Sequence, residues 1–241
     1  MKLDTWTVGS GSRTVALVHG ASKAADVWRD MARILVDEYD LTVMLLDQRG
    51  HGRSPRASSY RLSDFADDLV ESLPQGLDVL IGHSLGGGAG AVASARLQPK
   101  RFIGLDPGFY APASLMAMCY VLGALGPLTP RVLDWSLNLP ASIPEGSAPD
   151  TRERVRAMAR DWDTSMILPY ARSLRRHPIP VAPPAVSSTL LLVENSIVVP
   201  APMAEGLRAA GWDVRVKPGA VHDMQLQDPR GVVAMLDDLL R

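Results

Sequence analysis

The stretch of this chain best equipped for chemistry is LIGHSLGGGAG at 80–90, which contains Gly82-His83-Ser84-Leu85-Gly86. An apolar run ends at Ile81 and a small-residue helical pattern begins at Leu85. A serine at such a strand-to-helix turn is forced into a strained backbone conformation, and glycines two residues to either side let strand and helix approach closely. Its hydroxyl then stands above the sheet at the positive end of the following helix. That is the setting of a nucleophile, provided a base is near. Five histidines, at 19, 51, 83, 177 and 222, are the available imidazoles. His177 falls in HPIPVAPPA at 177–185, which can continue neither helix nor strand, and so reads as a surface residue on an extended connector.

Other chemistries find no residues to carry them. Cys119 is the single cysteine, so neither an intrachain disulfide nor a cysteine metal cluster is available. No His, Asp and Glu cluster has metal-ligand spacing, and the G-x-G-x-x-G order of a dinucleotide loop is missing after the first strand. The expectation is an enzyme with neither metal nor cofactor.

The elements that must hold Ser84 are legible as apolar runs bounded by Gly or Asp: 14–18, 41–46, 77–81, 101–105 and 189–193, with a weaker alternating run at 213–217. Short unbroken runs of this kind are strands buried on both faces. Helical patterns lie between them. Residues 24–37 put Val27, Met31, Ile34 and Leu35 on one face, 63–73 open with Ser63 as a cap, 85–97 are rich in Ala and Gly, and 229–240 close the chain. Strand and helix in alternation predict an α/β fold whose mostly parallel sheet has helices on both faces. The alternation breaks once, so residues 1–106 and 188–241 read as the core and 107–187 as a helical lid over the strand ends. Within the lid, Asp150 with Glu153 forms a capping box ahead of RVRAMARDW. Leu115, Met116, Met118, Leu122, Leu125, Leu133 and Trp135 read as lid core rather than pocket lining, although some must face the site if the lid closes there. The lid arginines, from Arg131 to Arg176, are offset by Asp134, Glu145 and other carboxylates and read as a solvated face.

Composition agrees with a globular domain and narrows the partners. Hydrophobic residues make up 46 % and charged residues 21 % of the 241, and the formal net charge is −1, so nothing points to nucleic acid or an anionic membrane. The segment MKLDTWTVGSGS lacks the apolar core of a signal peptide, and the longest apolar candidate, 111–128, is interrupted by Pro112, Gly123, Gly126 and Pro127. The expectation is a cytoplasmic protein that acts on a small molecule.

Three further segments join the serine turn in a resemblance to the α/β-hydrolase superfamily: LVHG at 17–20, DQRGHGRS at 47–54 and PGAVHDMQLQDP at 218–229. The likeness spans roughly 13–106 and 188–241. It implies an α/β-hydrolase fold with Ser84 as nucleophile and His222 as general base, because the base follows the nucleophile near the C-terminus. His19, His51 and His83 fall in structural turns of the family. The oxyanion hole is implied to be the backbone N–H groups of Ala21 and Leu85. Trp28 resembles an aromatic that packs under the site. Asp47 and Arg49 read as an ion-paired loop bracing the sheet edge.

One member departs from the pattern. The family's acid normally precedes a V-P pair, and here VENSIVVP at 193–200 puts Ser196 in that place. Asp106, at the end of the preceding strand, and Glu194, two residues from the usual position, are the candidate acids, and the residues leave the choice open. The resemblance implies a serine hydrolase for a small ester, thioester or lactone, with an apolar acyl or ring substrate. Carbon–carbon bond hydrolysis, a lyase or cyclase reaction, or a catalytically silent receptor are the alternatives on the same fold.

Overall fold

The computed structural model describes residues 1–129, 131–132 and 147–241. Seven strands pair into one sheet in the order β1-β3-β2-β4-β5-β6-β7: β1 Thr5–Val8, β2 Arg13–Val18, β3 Leu41–Leu46, β4 Val79–His83, β5 Arg101–Leu105, β6 Ser187–Val193 and β7 Asp213–Lys217. Six of these are the apolar runs, within two residues at their ends. β1 is additional; it pairs antiparallel to β3, whereas all other pairings are parallel. Its four residues, TWTV, are half-buried or exposed at the sheet edge, so they carry no buried-strand pattern.

The pleat sends alternate residues into two cores. Val15, Leu17, Ile81 and Ile103 pack with Trp28, Met31 and Leu35 around helix α1 (Arg29–Tyr39), with Met224 and Leu226 of α8 (Met224–Gln227) and with Val232 and Val233 of α9 (Pro229–Met235). Ala16, Val18, Leu80 and Phe102 pack on the other face with α2 (Leu62–Ser72), α3 (Ser84–Leu97) and α7 (Ala201–Ala209). Each fully buried large apolar side chain contributes about 1.5–3 kcal/mol, so a one-residue slip of any central strand would send each set into the core shaped around the other.

Helix boundaries correct several expectations. The 24–37 pattern opens as a 3-10 turn, Ala25–Trp28, before α1. Ser63 is not the cap of α2; the Asp64 carboxylate accepts the Arg61 N–H at 2.8 Å and the Ser59 hydroxyl at 2.6 Å instead. The closing helix is two pieces, α9 and α10 (Asp237–Leu240), parted at the fully buried Leu236.

Between β5 and β6 lie α4 (Ala113–Leu125), α5 (Thr151–Arg160) and α6 (Ile167–Arg176). The expected Asp150–Glu153 box does not form: the Asp150 carboxylate turns to Arg29 at 3.0 Å and Arg154 at 3.3 Å. Arg154 also meets Asp30 at 2.7 Å and is buried, so this part of the arginine-rich insertion is an ion cluster against the core rather than a solvated face. Leu133, Asp134, Trp135 and Glu145 lie outside the described residues. The insertion is tied to the loop after β3 by two backbone bonds, Gly52 N–H to Asp161 O (2.9 Å) and Asp163 N–H to Gly50 O (2.6 Å). The Tyr60 hydroxyl adds a bond to Asp163 at 2.5 Å, and the His51 ring stacks on Trp162 at 5.7 Å. Among the described residues no helix is long and apolar enough to cross a membrane.

Two glycines of different standing test this packing. A Cβ on Gly86 would lie 2.4 Å from the Val18 carbonyl oxygen and 2.5 Å from that of His19, whereas one on Gly123 would meet Leu168 at an ordinary 3.7 Å. Gly86→Ala is expected to lower unfolding free energy by about 1–3 kcal/mol, and Gly123→Ala, within α4, to raise it by about 0.4–1 kcal/mol. Urea unfolding of the two variants measures both; equal stabilities would contradict the close approach of α3 to β2.

Candidate active site

Strand β4 ends at His83 and α3 begins at Ser84, so the chain reverses within one residue. Ser84 accordingly sits in the left-handed region, φ 50°. The turn closes because Gly82 has no side chain: a Cβ there would lie 2.4 Å from the Gly86 carbonyl oxygen. Leu85 is in the first turn of α3, where N–H groups have no intrahelical acceptor. The turn after β2 approaches from one side, close enough that a Cβ on Gly20 would be 3.1 Å from the Cβ of Ser84. Ala21 and Ser22 follow; Ser22 takes φ 59° and its N–H donates to His51 Nε2 at 3.2 Å. The backbone N–H groups of Ala21 and Leu85 thus belong to the two turns that flank the serine.

His222, on the loop after β7, places Nε2 3.0 Å from Ser84 Oγ and Nδ1 2.5 Å from Asp106 Oδ2. With Asp106 ionised, Nδ1–H donates to the carboxylate and Nε2 is free to accept the serine proton. Asp106 is buried at the end of β5 with φ 38°, and among the described residues its other carboxylate oxygen has no hydrogen-bond partner. Burial pulls the His222 imidazole toward neutrality, but the Asp106 hydrogen bond and charge outweigh it and raise its pKa above the ordinary histidine value. Glu194 is not brought to His222; it is exposed and accepts the Gly219 N–H at 2.9 Å. Ser196, at the family's usual acid position, accepts the Val199 N–H at 2.9 Å.

The remaining motif residues brace these turns. His19 accepts the Gln48 N–H at 2.9 Å through Nε2 and donates to the Gly20 carbonyl at 2.7 Å through Nδ1. His51 donates to the Arg49 carbonyl at 2.9 Å. His83 donates through Nε2 to the His222 carbonyl at 2.9 Å, fastening the histidine loop to β4. Desolvation dominates at all three rings and lowers their pKa values to about 4 for His19, about 3 for His51 and about 4 for His83. Asp47 and Arg49 do not pair with each other. Asp47 accepts the N–H groups of Ala25 and Arg53, while Arg49 grips Asp68 with two bonds of 2.5 and 2.7 Å. Sequence reasoning did not single out the contact of Lys23 with Asp223, 3.4 Å, which joins the Ala21 turn to the His222 loop. Nothing in the spacing of those two residues signals it.

Ser84, Asp106 and His222 open into a cavity of about 550 Å³. Leu115, Met118 and Leu122 of α4 line it, and are those of the apolar insertion residues that face the site; Ile167, Tyr170 and Leu174 of α6 form another wall. Trp162, held by His51, also contributes. Trp28 is fully buried in the core beneath, and His177 is exposed. Among the described residues no group of three or more His, Cys, Asp or Glu side chains is placed to hold a metal ion.

The profile of a family described as the alpha/beta hydrolase family matches residues 15–235. The chain is 35 % identical over 92 residues to a 2-(acetamidomethylene)succinate hydrolase of Mesorhizobium japonicum, a match covering 36 % of this chain and 32 % of that one. It is 36 % identical over 103 residues to the esterase YbfF of Escherichia coli, covering 40 % of each. These matches span between about a third and two-fifths of the curated relatives' length. Among solved structures, a thermophilic esterase from Thermogutta terrifontis superposes with a TM-score of 0.78 at 20 % identity, covering 99 % of this chain and 93 % of that one. An enol-lactonase from Burkholderia xenovorans gives 0.75 at 17 %, covering 99 % and 96 %. At these identities the superpositions establish the fold.

The three buried histidines make the fold sensitive to acid. Their folded pKa values lie below the unfolded value near 6.5, so below that pH the unfolded chain binds protons that the folded chain refuses. Stability is therefore complete above about pH 6.5 and lost as pH falls toward about 4. The raised pKa of His222 acts in the opposite sense and offsets part of the loss. Urea unfolding at pH 7.5 and 5.5 should differ by about 3 kcal/mol. An unchanged midpoint would mean that these rings protonate inside the fold.

Proposed function

This chain belongs to the alpha/beta hydrolase family, and we propose that it is a serine hydrolase of small esters, thioesters or lactones with apolar acyl groups. One observation carries the reading: a serine hydroxyl 3.0 Å from an imidazole nitrogen whose other nitrogen meets a buried carboxylate at 2.5 Å, at the floor of a largely apolar cavity. Ser84 Oγ attacks the acyl carbon while His222 Nε2 takes its proton. Asp106 holds the ring in the Nδ1–H tautomer and stabilises the imidazolium. The N–H groups of Ala21 and Leu85 meet the oxyanion of the tetrahedral intermediate. Collapse expels the alcohol or thiol, which takes the proton from His222; in a lactone it stays tethered to the acyl group. Water then attacks the acyl-Ser84 with His222 again as base, releases the carboxylic acid and restores the hydroxyl. The insertion, 107–187, acts as a lid whose helices exclude water and shape the acyl site. The relatives named as esterases, a hydrolase and an enol-lactonase support the reaction class.

Hydrolysis of p-nitrophenyl acetate, butyrate and octanoate tests the reading. Ser84→Ala should fall to the uncatalysed background. Asp106→Asn should lose about 10³- to 10⁴-fold in kcat, the loss expected when the ring is left in the wrong tautomer. Glu194→Gln should stay within about twofold of the parent, since its carboxylate binds only a surface loop; this is an order-of-magnitude expectation for exposed sites. A wild-type rate equal to that of Ser84→Ala would defeat the proposal.

The pH profile adds an independent check. The active base is neutral His222, so kcat/KM should fall on acidification along a limb centred above the ordinary value of 6.5. In Asp106→Asn the limb should move to lower pH, because the group that favours the imidazolium is gone. A limb that did not move would separate Asp106 from the base.

A further inference from the structure

Resting on the ester-hydrolase reading, we infer that Tyr170 is a specificity-determining residue, and that the cavity takes a neutral, mainly apolar substrate whose one additional oxygen hydrogen-bonds the Tyr170 hydroxyl. Tyr170 projects from α6 into the lining of the cavity, and its ring packs edge-on against Phe65 at 5.9 Å. The ring is therefore fixed, and so is the direction of its hydroxyl. That oxygen stands 2.7 Å from where a Cβ on Gly108 would be, a point itself 3.2 Å from the carbonyl oxygen of Ser84. The hydroxyl thus lies beside the backbone of the nucleophile. Glycine at 108 leaves that approach open.

The cavity around this hydroxyl is mainly apolar, with the Cys119 thiol and the Ser84 backbone as its polar neighbours, and among the described residues it makes no hydrogen bond. An unpaired hydroxyl in an apolar wall costs stability unless something meets it. Tyrosine in place of phenylalanine is thus unexplained by packing alone. A substrate oxygen would meet that hydroxyl and gain orientation from it, whereas the hydrocarbon analogue would leave it unpaired.

Charge sets the second half of the inference. No lysine or arginine lines the described cavity. Lys23, whose charge acts on His222, is engaged by Asp223 at 3.4 Å. Residues 133–146 contain no Lys, Arg or His in their sequence. Asp106 is a buried carboxylate at the cavity floor. A substrate carboxylate would enter without a counter-ion and face an existing negative charge. A keto, ether or hydroxyl oxygen suffers neither penalty.

The test uses matched esters on the full chain and on Tyr170→Phe. One series is p-nitrophenyl octanoate against octanoates with a keto group at carbons 4 to 7. The second places the keto group in the alcohol part of an alkyl octanoate, followed by proton release. In the parent, at least one keto ester should exceed its hydrocarbon match at least tenfold in kcat/KM, and Tyr170→Phe should collapse that ratio toward one. Thermal unfolding of Tyr170→Phe should come no lower than the parent's, because the hydroxyl supports no structural bond and its removal ends an unpaired polar group. The mono-p-nitrophenyl ester of octanedioic acid should be a poorer substrate than the octanoate. Keto-to-hydrocarbon ratios left unchanged by Tyr170→Phe in both series would overturn the role of Tyr170. A preference for the dicarboxylic ester would overturn the neutral-substrate assignment. If the parent hydrolyses no ester faster than Ser84→Ala, it is the hydrolase reading that fails.

Discussion

The backbone of Ser84, held at φ 50° between β4 and α3, is the constraint on which the candidate site depends. A residue with a Cβ resists this conformation, at a cost of order 1–3 kcal/mol. It persists because the surroundings leave no alternative. Gly82 meets Gly86 across the turn, and Gly86 rests on the carbonyls of Val18 and His19, so β4, α3 and β2 can pack at this spacing only with the serine bent outward. The first turn of α3 then presents an unpaired N–H beside the serine hydroxyl. Strain at one residue and complementarity to a developing negative charge follow from one packing arrangement.

The carboxylate partner of His222 is set by the same strand ends. Asp106 also takes a positive φ, 38°, as β5 gives way to Pro107 and Gly108. β5 is hydrogen-bonded to β4 with His83 opposite Leu105, so the residues after each strand, Ser84 and Asp106, emerge side by side. An acid there reaches the imidazole from below, leaving the loop after β6 without that duty. That loop is free to use Ser196 as a local hydrogen-bond acceptor and to turn Ile197 and Val198 into the cavity wall.

Neutral histidines do much of the bracing. His19, His51 and His83 each act as donor at one nitrogen; His19 and His51 accept a backbone N–H at the other, and Gln225 lies 3.3 Å from Nδ1 of His83. A protonated ring would lose its acceptor, and burial makes that form costly. Imidazole is suited to such positions because it bridges two polar groups across a flat ring that still packs against carbon, as His51 does on Trp162. Through that stack the loop after β3 reaches the insertion, and the insertion reaches the cavity.

Contiguous residues carried most of the fold. Unbroken apolar runs, Gly-bounded ends and the small residues of α3 make strands and helices by local rules, so six of seven strands and the position of Ser84 were readable from composition and spacing. The edge strand β1 was not, because four half-exposed residues bury too little to leave a pattern. The partner of His222 was not, because Asp106 and Glu194 differ by reach across 116 and 28 residues of chain, and only strand order and register decide which one arrives. Nor could sequence place Arg154 in a buried ion cluster, join Lys23 to Asp223, or bring Tyr170 beside the backbone of Ser84. Each of these pairs a group with a partner far along the chain, and such pairings exist only once the sheet has fixed where its strand ends and loops converge.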